Sequence, residues 1–447
     1  MFDDLIVPKD WKILSVNELV ELEIIEKPLD GNHGGIHPKS SDYVEQGIPF
    51  IMASDLVDGE VDLVGCKKIT VEQSKTLKKG FAKSGDVLLS HKATIGRTAI
   101  VQNNNFDYIL LTPQVTYYRV KNFDALSPKY LKAYFDSPKF QALFKAWAGD
   151  GSTRAYLGIT AQQKLPIVIP PLEVQRQIVD SIGNIERKIL LNKQMNQTLE
   201  KIAQRIFKSW FIDFDPVKAN AEGVPFDGLS PEIQSLFPSE FVESEMGLIP
   251  KGWDVKPLDS IGEFLNGLAC QKYPPRDEAD ALPVIKIAEM KNGYTQKTNQ
   301  ASKSVDSKYL IQDGDFLFSW SGSLTTCYWA LGEAVLNQHL FKVSPLSGFT
   351  QHFVASWVNH HLSEFIRIAA DKATTMGHIK REHLSQAKVV VPNSDVLDAF
   401  DNATQPLINR VKQNQTQSEK LKKIRGRLLP KLLSGSIEIN QELMKAS

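Results

Sequence analysis

The sequence predicts an α+β protein: two pseudo-repeated α/β modules joined by two long helices that pair as an antiparallel coiled coil. Three observations predict it. The chain carries one ordered set of short motifs twice. Each copy mixes strand-like runs with a helical stretch, and each closes in a long heptad-patterned segment.

The duplication is read from offsets. Pro8-Lys9-Asp10-Trp11 returns as Pro250-Lys251-Gly252-Trp253, 250 − 8 = 242 residues later. Gly47-Ile48-Pro49-Phe50-Ile51 through Gly59 returns as Ala281-Leu282-Pro283-Val284-Ile285 through Gly293, at 293 − 59 = 234. Gly85-Asp86-Val87-Leu88-Leu89-Ser90 returns as Gly314-Asp315-Phe316-Leu317-Phe318-Ser319, at 314 − 85 = 229. Leu165-Pro166-Ile167-Val168-Ile169-Pro170 returns as Ala387-Lys388-Val389-Val390-Val391-Pro392, at 392 − 170 = 222. The order is kept and the offset only shrinks, so the first copy holds extra residues in its loops.

Within the first copy, runs at Ile48–Met52, Asp86–Ser90 and Gln114–Val120 read as short strands bounded by Gly, Pro and polar residues. A helical stretch is expected around Pro128 to Trp147, where Tyr130, Leu131, Tyr134, Phe135, Phe140, Leu143 and Phe144 recur at helical spacing. These aromatics are expected in the core. The second copy repeats the plan, with strands near Val284, Asp315 and Leu340 and a helix from about Thr350 to Ala370.

After Pro170-Pro171 the period becomes that of one long helix. Its seam reads Ile185, Ile189, Asn192, Asn196, Leu199, Ala203, Ile206 and Trp210, in alternating steps of four and three. Adding 222 gives Leu407, Val411, Asn414, Ser418, Leu421, Arg425, Leu428 and Leu432. Asn192 and Asn414 fall at equivalent seam positions, where a polar residue sets register. The helices are expected to pair and hold the modules a fixed distance apart; the alternative is that each packs only on its own module. The second helix is expected to stop or kink near Pro430 and to end by Gly435. The resulting division is 1–170 first module, 171–212 first long helix, 213–248 linker, 249–392 second module, 393–435 second long helix and 436–447 tail.

Bulk properties bound the function. Apolar content of 42% and charged content of 23% fit an ordinary globular chain. No apolar run reaches the ~18 residues of a membrane span, and the acidic start Met1-Phe2-Asp3-Asp4 lacks the features of a signal peptide. Cys66, Cys270 and Cys327 are isolated and lack metal-ligand spacing. A cytoplasmic chain without disulfides and without a membrane partner is expected. Net charge is zero, but residues 213–245 hold eight acids and one base, Lys218. Removing them leaves 51 bases against 44 acids, a mild excess that permits DNA binding without demanding it. The Pro, Gly and Phe residues of that acidic stretch indicate a linker that packs.

Two modules opening with Pro-Lys-x-Trp, each closing in a proline-bounded strand and a long helix, resemble the specificity (S) subunit of type I restriction–modification enzymes. Gly85-Asp86-Val87-Leu88-Leu89-Ser90 with Thr94-Ile95-Gly96-Arg97, Ser319-Trp320-Ser321-Gly322-Ser323 with Leu336-Asn337-Gln338-His339-Leu340-Phe341, the helix opening Pro170-Pro171-Leu172-Glu173-Val174-Gln175, and Phe211-Ile212-Asp213-Phe214-Asp215-Pro216 carry the resemblance. It covers essentially the whole chain. Two departures stand out: the second helix opens Val391-Pro392-Asn393-Ser394-Asp395, and Ser323-Leu324-Thr325 replaces Thr94-Ile95-Gly96.

The resemblance implies that each module is a target-recognition domain reading half of a bipartite, asymmetric site in double-stranded DNA. It implies that the helices set the gap between half-sites and dock two modification (adenine methyltransferase) subunits, joined by restriction/translocase subunits. S-adenosylmethionine, ATP and Mg would serve those partners, with no cofactor on this chain. The 26 residues from Ile185 to Trp210 span roughly 39 Å as helix, close to the ~34–36 Å between half-sites one turn apart.

Candidate DNA contacts lie in loops after strands. In the first module they are Asn32, His33, Lys39, Ser54, His91, Lys92, Thr94, Arg97 and Arg154; in the second, Lys272, Tyr273, Arg276, Lys286, Lys291, Trp320, Ser321 and Ser323. These side-chain types read base edges or hold phosphates. For each, an exposed loop side chain is the plainer alternative, and for Trp320 it is packing within the module. The segment Gly151–Arg154, echoed at Thr374–Met376, would touch phosphate or simply form a turn. His33 and His37 lack partner ligands, so no metal is expected. No phosphate loop ends in Lys-Ser or Lys-Thr, and no Asn/Asp-Pro-Pro-aromatic methyltransferase signature appears. Asp180, Glu186 and Lys188 imitate a nuclease triad but fit the solvated face of a long helix. The expected role is therefore non-catalytic. The competing classes are a self-sufficient methyltransferase or nuclease, and a scaffold that does not bind DNA.

Overall fold

Each module is closed by pairing its first strand with its last. Strand Lys12–Ser15 runs antiparallel to Pro166–Ile169, with Ile13 opposite Val168. Strand Asp254–Pro257 runs antiparallel to Lys388–Val391, with Val255 opposite Val390. These are the segments at offsets 242 and 222, so the repeat read from the sequence is a repeat of topology. The structure, a computed structural model, describes residues 7–149, 155–295, 297–371 and 377–437.

Contacts divide the chain into two units, Met1–Lys188 with Leu421–Ser447, and Ile189–Lys420. Both long helices therefore contribute to both units. In the first unit, a four-stranded sheet has the order Lys67–Ile69, Ile48–Ile51, Ile109–Leu111, Phe81–Ala82. The second unit repeats it as Gln300–Ser302, Ala281–Ile285, Ala334–Leu336, Leu310–Ile311. The central pair is parallel in both, Leu111 opposite Ile51 and Leu336 opposite Ile285. A further sheet is also shared: Leu29–Asp30, Val115–Tyr118, Val87–Ser90, Thr98–Ile100 in the first unit, and Gly262–Asn266, Leu340–Pro345, Phe316–Ser319, Thr326–Tyr328 in the second. The first unit extends this sheet with Glu60–Val61 and Leu56–Val57, where the second has a helix, Ile287–Asn292. The two copies are equal in length from Gly47 to Gly59, so this is a change of local fold, and the offset shrinks outside that stretch.

The helical stretch expected over Pro128–Trp147 is two helices, Pro128–Phe135 and Pro138–Ala148. The correction has a local cause. Ser137 accepts from the Phe140 amide as an N-cap, and Pro138 sits at the first helical turn, where its missing N–H costs nothing. The second module has no such break, and Gln351–Asp371 is one helix. The aromatics are core, as expected: Tyr130, Phe135 and Phe144 are fully buried.

The long helices are Leu172–Phe211 and Ser394–Leu433, 40 residues each. Gln175 fixes the start of the first: its Nε2 donates to the Pro170 and Ala125 carbonyls at 2.9 Å, and its Oε1 accepts from the Ser127 amide. The second lacks this glutamine, and Asn393 caps it instead by accepting from the Val396 amide at 3.0 Å. Pro430 lies inside the second helix, which continues to Leu433; Gly435 then adopts φ +68°. A proline in the last turn leaves few hydrogen bonds to break.

The helices pack against each other antiparallel. Asn192 Nδ2 donates to Gln417 Oε1 at 2.9 Å and to Ser418 Oγ at 3.2 Å, while four residues further on Asn196 Nδ2 donates back to the Val411 carbonyl at 3.3 Å. In the first unit Arg425 donates to Glu186 at 3.2 Å. Asn192, Ala203, Trp210, Val411 and Asn414 are buried; Ile185, Ile189, Leu199, Ile206, Leu421 and Leu428 are half-buried. Leu407 is half-buried like these, and its neighbour Ile408 is buried more deeply, at 4% exposed. The helices also pack on the modules, so the two readings of their role are not exclusive. Ile178, Ile182, Leu429, Leu432 and Leu433 join the core of the first unit; Phe207, Trp210, Phe211 and Phe400 join that of the second.

The acidic linker is folded into the second unit. It forms helices Asp215–Glu222 and Pro231–Gln234 and a hairpin of Phe241–Ser244 with Gly247–Pro250. Phe237 packs edge-on against Trp210 at 5.1 Å.

Candidate nucleic-acid interface

In both modules the loop after the central strand is tied down by the strand's last residue. Ser90 Oγ accepts from the Arg97 amide at 2.8 Å, and Ser319 Oγ from the Thr325 amide at 2.8 Å. At the tip, Ala93 (φ 64°) and Gly322 (φ 67°) share a left-handed conformation. An alanine there is strained. The loop's far side is held as well. Ala93 and Leu157 bond Ala155 and His91 through their backbones at 3.1 and 3.0 Å; Gly322 and Ile379 do the same with Gly377 and Trp320 at 2.8 and 3.0 Å. Bridges Lys92↔Tyr156 and Ser321↔His378 complete the match.

Glycines let the neighbouring strand approach. A Cβ on Gly31 would lie 1.9 Å from the Leu111 carbonyl oxygen, and one on Gly267 would lie 2.3 Å from that of Asn337. The residues before these glycines, Asp30 and Asn266, reach the residues after the serines, His91 and Trp320. Trp320 Nε1 donates to Asn266 Oδ1 at 2.9 Å. His91 is fully buried and its Nδ1 lies 3.0 Å from the Leu157 carbonyl. A carbonyl only accepts, so Nδ1 carries the proton and Nε2 is left as an acceptor, unpartnered and 3.9 Å from Asp30 Oδ2. Burial pulls the His91 pKa down to about 4, against the opposing pull of Asp30. Burial also works to raise Asp30, but the Lys79 ammonium and the His33 ring, 2.8 Å away, outweigh it and hold the carboxyl below its usual range.

These anchors gather loops at one edge of each module. Asn32 donates to the Lys79 carbonyl at 2.6 Å and accepts from the Lys78 amide at 2.9 Å. Arg97 donates to the Ala53 and Ser54 carbonyls at 3.2 and 3.3 Å. In the second module, Ser321 Oγ and His339 Nδ1 are 2.9 Å apart, and Arg276 donates to Asp280 at 3.2 Å and Ser304 at 2.7 Å. The Arg276 side chain and amide hold Asp280 well below the usual carboxylate range. Lys286 bonds Asn299.

The candidates thus divide. His33, Lys39, Ser54, Lys92, Thr94, Arg97, Lys272, Tyr273, Arg276, Lys286, Lys291 and Ser323 are exposed. Asn32, His91 and Ser321 are buried with polar atoms engaged inside the protein, so these three stand behind the surface as loop anchors, not on it. Trp320 is half-buried, its indole N–H occupied within the module. Arg154 and the segments 151–154 and 374–376 lie outside the described residues. Sequence reading missed Asp30, Lys79, Tyr156, Asn266 and His378. The 222-residue offset linking Tyr156 to His378 was a signal available for two of them.

Among the described residues, no group of three or more His, Cys, Asp or Glu is placed to hold a metal ion, and no helix is long and apolar enough to cross a membrane. Cys66, Cys270 and Cys327 are free.

A duplicated scaffold with matched anchors and unlike exposed side chains defines a two-part recognition protein. Comparison with known proteins agrees. The model of the type I restriction modification DNA specificity domain matches residues 8–201 and 250–415, and the chain belongs to that family. It is similar to the type I restriction enzyme MjaIX specificity subunit of Methanocaldococcus jannaschii (27% identity, 97% of this chain and 95% of that one) and to the HindI specificity subunit of Haemophilus influenzae (26%, 87% and 94%). The crystal structure of a type I restriction–modification S subunit from M. genitalium shares the fold, with a TM-score of 0.52 at 10% identity over 97% of both chains. The protein is a DNA sequence-recognition subunit of a type I restriction–modification complex, and its own role is not catalytic.

Proposed function

We propose that each module reads one half of an interrupted, asymmetric DNA site through the loop cluster built on Ser90 or Ser319. One observation carries this: the two clusters keep the same backbone bonds and anchors but expose different side chains, Lys92 and Thr94 against Ser323 and Tyr273. A common frame with divergent contacts suits two unlike half-sites, since base edges specify and phosphate contacts position. The paired long helices would set the gap and dock two modification subunits and, with them, the restriction/translocase subunits. S-adenosylmethionine, ATP and Mg would be used by those partners, in the cytoplasm with the DNA.

Exchanging residues 8–165 for the module of another family member tests this, with methylated adenines mapped by sequencing. The expected result is a new first half-site and an unchanged second. A change in both halves, or in neither, overturns the reading. Inserting one heptad into each long helix should alter the gap.

A further inference from the structure

Tyr156 and His378 stand 378 − 156 = 222 residues apart, the offset of the closing strands, and are held in the same way. Each is bridged to the tip of its serine-anchored loop, Tyr156 to Lys92 and His378 to Ser321. Each presents its ring to the residue behind: Tyr156 to His91 at 5.6 Å and His378 to Trp320 at 6.3 Å. The His91 ring is in turn held by the Leu157 carbonyl at 3.0 Å, and the Trp320 ring by Asn266 at 2.9 Å. Tyr156 is nonetheless 48% exposed, and His378 is exposed. Lys92 Nζ lies 5.9 Å from the centre of the Tyr156 ring.

A large ring left half in water is ordinary by itself. A ring left in water at equivalent positions of two diverged modules, backed by a second ring and fixed by backbone bonds on its flank, is a pre-organised contact. Little side-chain freedom is left to lose on binding. A phenol offers an apolar face and a hydroxyl that donates and accepts; an exposed imidazole offers an aromatic face and a polar edge. Both heads match the donors, acceptors and methyl group that base pairs show in the major groove.

We propose that Tyr156 and His378 are specificity-determining residues, each contacting base edges in one half-site, with His91, held by Leu157, and Trp320, held by Asn266, as the positioning rings behind them. This rests on the half-site reading above and assigns residues to it.

The test uses the complex reconstituted with its modification subunits and a DNA library randomised over both half-sites. Base preference is read from methylation at every position. Tyr156→Ala should lower discrimination about ten-fold or more at a position of the first half-site and leave the second intact; His378→Ala should do the reverse. Should an alanine variant fail to assemble, the exchanges Tyr156→His and His378→Tyr, which keep a ring against its support, decide the matter. Altered preference in the matching half supports the assignment. Unaltered preference at every position overturns it. The whole-module exchange run in parallel separates the two ideas: if it rewrites the first half-site while the ring variants change nothing, only this assignment falls.

Discussion

Asn192 and Asn414, 222 residues apart in sequence, meet on the seam of the paired helices: Asn192 Nδ2 lies 3.3 Å from the Asn414 carbonyl oxygen. Both are buried, and Asn414 Nδ2 donates to Asn196 Oδ1 at 2.8 Å. The polar contacts occur only when the helices are antiparallel and in this register. In any slipped register these amides would be buried without partners, at about 1–3 kcal/mol each.

Asn414→Ala removes the donor to Asn196 and is expected to destabilise the chain by about 1–2 kcal/mol, as read by urea unfolding. The pair Asn192→Leu with Asn414→Leu should be neutral or stabilising in the same assay, while allowing slipped pairings. Limited proteolysis should then reveal more than one helix register. A double-leucine variant with one register and a lowered midpoint would contradict this account.

Gly31→Ala places a methyl against the Leu111 carbonyl, a backbone atom that cannot step aside. Overpacking of this kind costs about 1–3 kcal/mol or more. Protection of the first half-site in a footprint should be lost, with the second retained. Gly267→Ala should give the mirror result, and equal loss at both halves from either variant would count against independent modules.

Acid should weaken the fold between about pH 6.5 and pH 4. Burial lowers His91 and His352 to about 4, the latter helped by Lys412. The unfolded chain takes up these protons near 6.5, so the stability is fully present above that pH and is lost as pH falls toward 4. Each contributes on the order of 3 kcal/mol at most. Glu200, raised by desolvation, works in the opposite sense near the lower end. His352→Gln should flatten the dependence in urea melts at pH 7.5 and 5; an unchanged slope would refute it.

The first long helix exposes Leu191, Met195 and Ile202, at 50%, 39% and 40%. Spacings of four and seven place them on one stripe. Gln413, Gln417 and Ile424 stand 222 residues on, so the two helices offer unlike faces. Leu191→Asp with Met195→Asp should leave the melting temperature within about a degree or two and reduce co-purification of a modification subunit. Full retention of both subunits would show that this stripe is not a docking face.

How much of this was legible beforehand varies by element. The seam through Asn192, Val411 and Asn414 was visible because heptad spacing is a local property of the chain. Ile408 and Leu429, buried beside the half-buried Leu407 and Leu428, were left out of the seam because heptad spacing alone does not say which of two adjacent apolar side chains is buried more deeply. The break at Ser137-Pro138 was hidden beneath aromatic spacing that ran on through it, although the cap and proline were in view.

The candidate loops show the same boundary more sharply. Most candidates lie in turns after strands, but Lys291 lies on helix Ile287–Asn292, and Asn32, His91 and Ser321 proved to be internal. A polar residue in a loop has no local pattern that separates an anchor from a contact.

The sequence by itself determined the two modules, the shared order of their motifs and the long helices, because repeated motifs and hydrophobic period are written along the chain. Only the tertiary structure decided that Asp30 faces His91, that Asn266 faces Trp320, and that Tyr156 and His378 remain in solvent. Those outcomes depend on strands distant in sequence approaching within a few ångströms, where close packing leaves room for one arrangement of side chains.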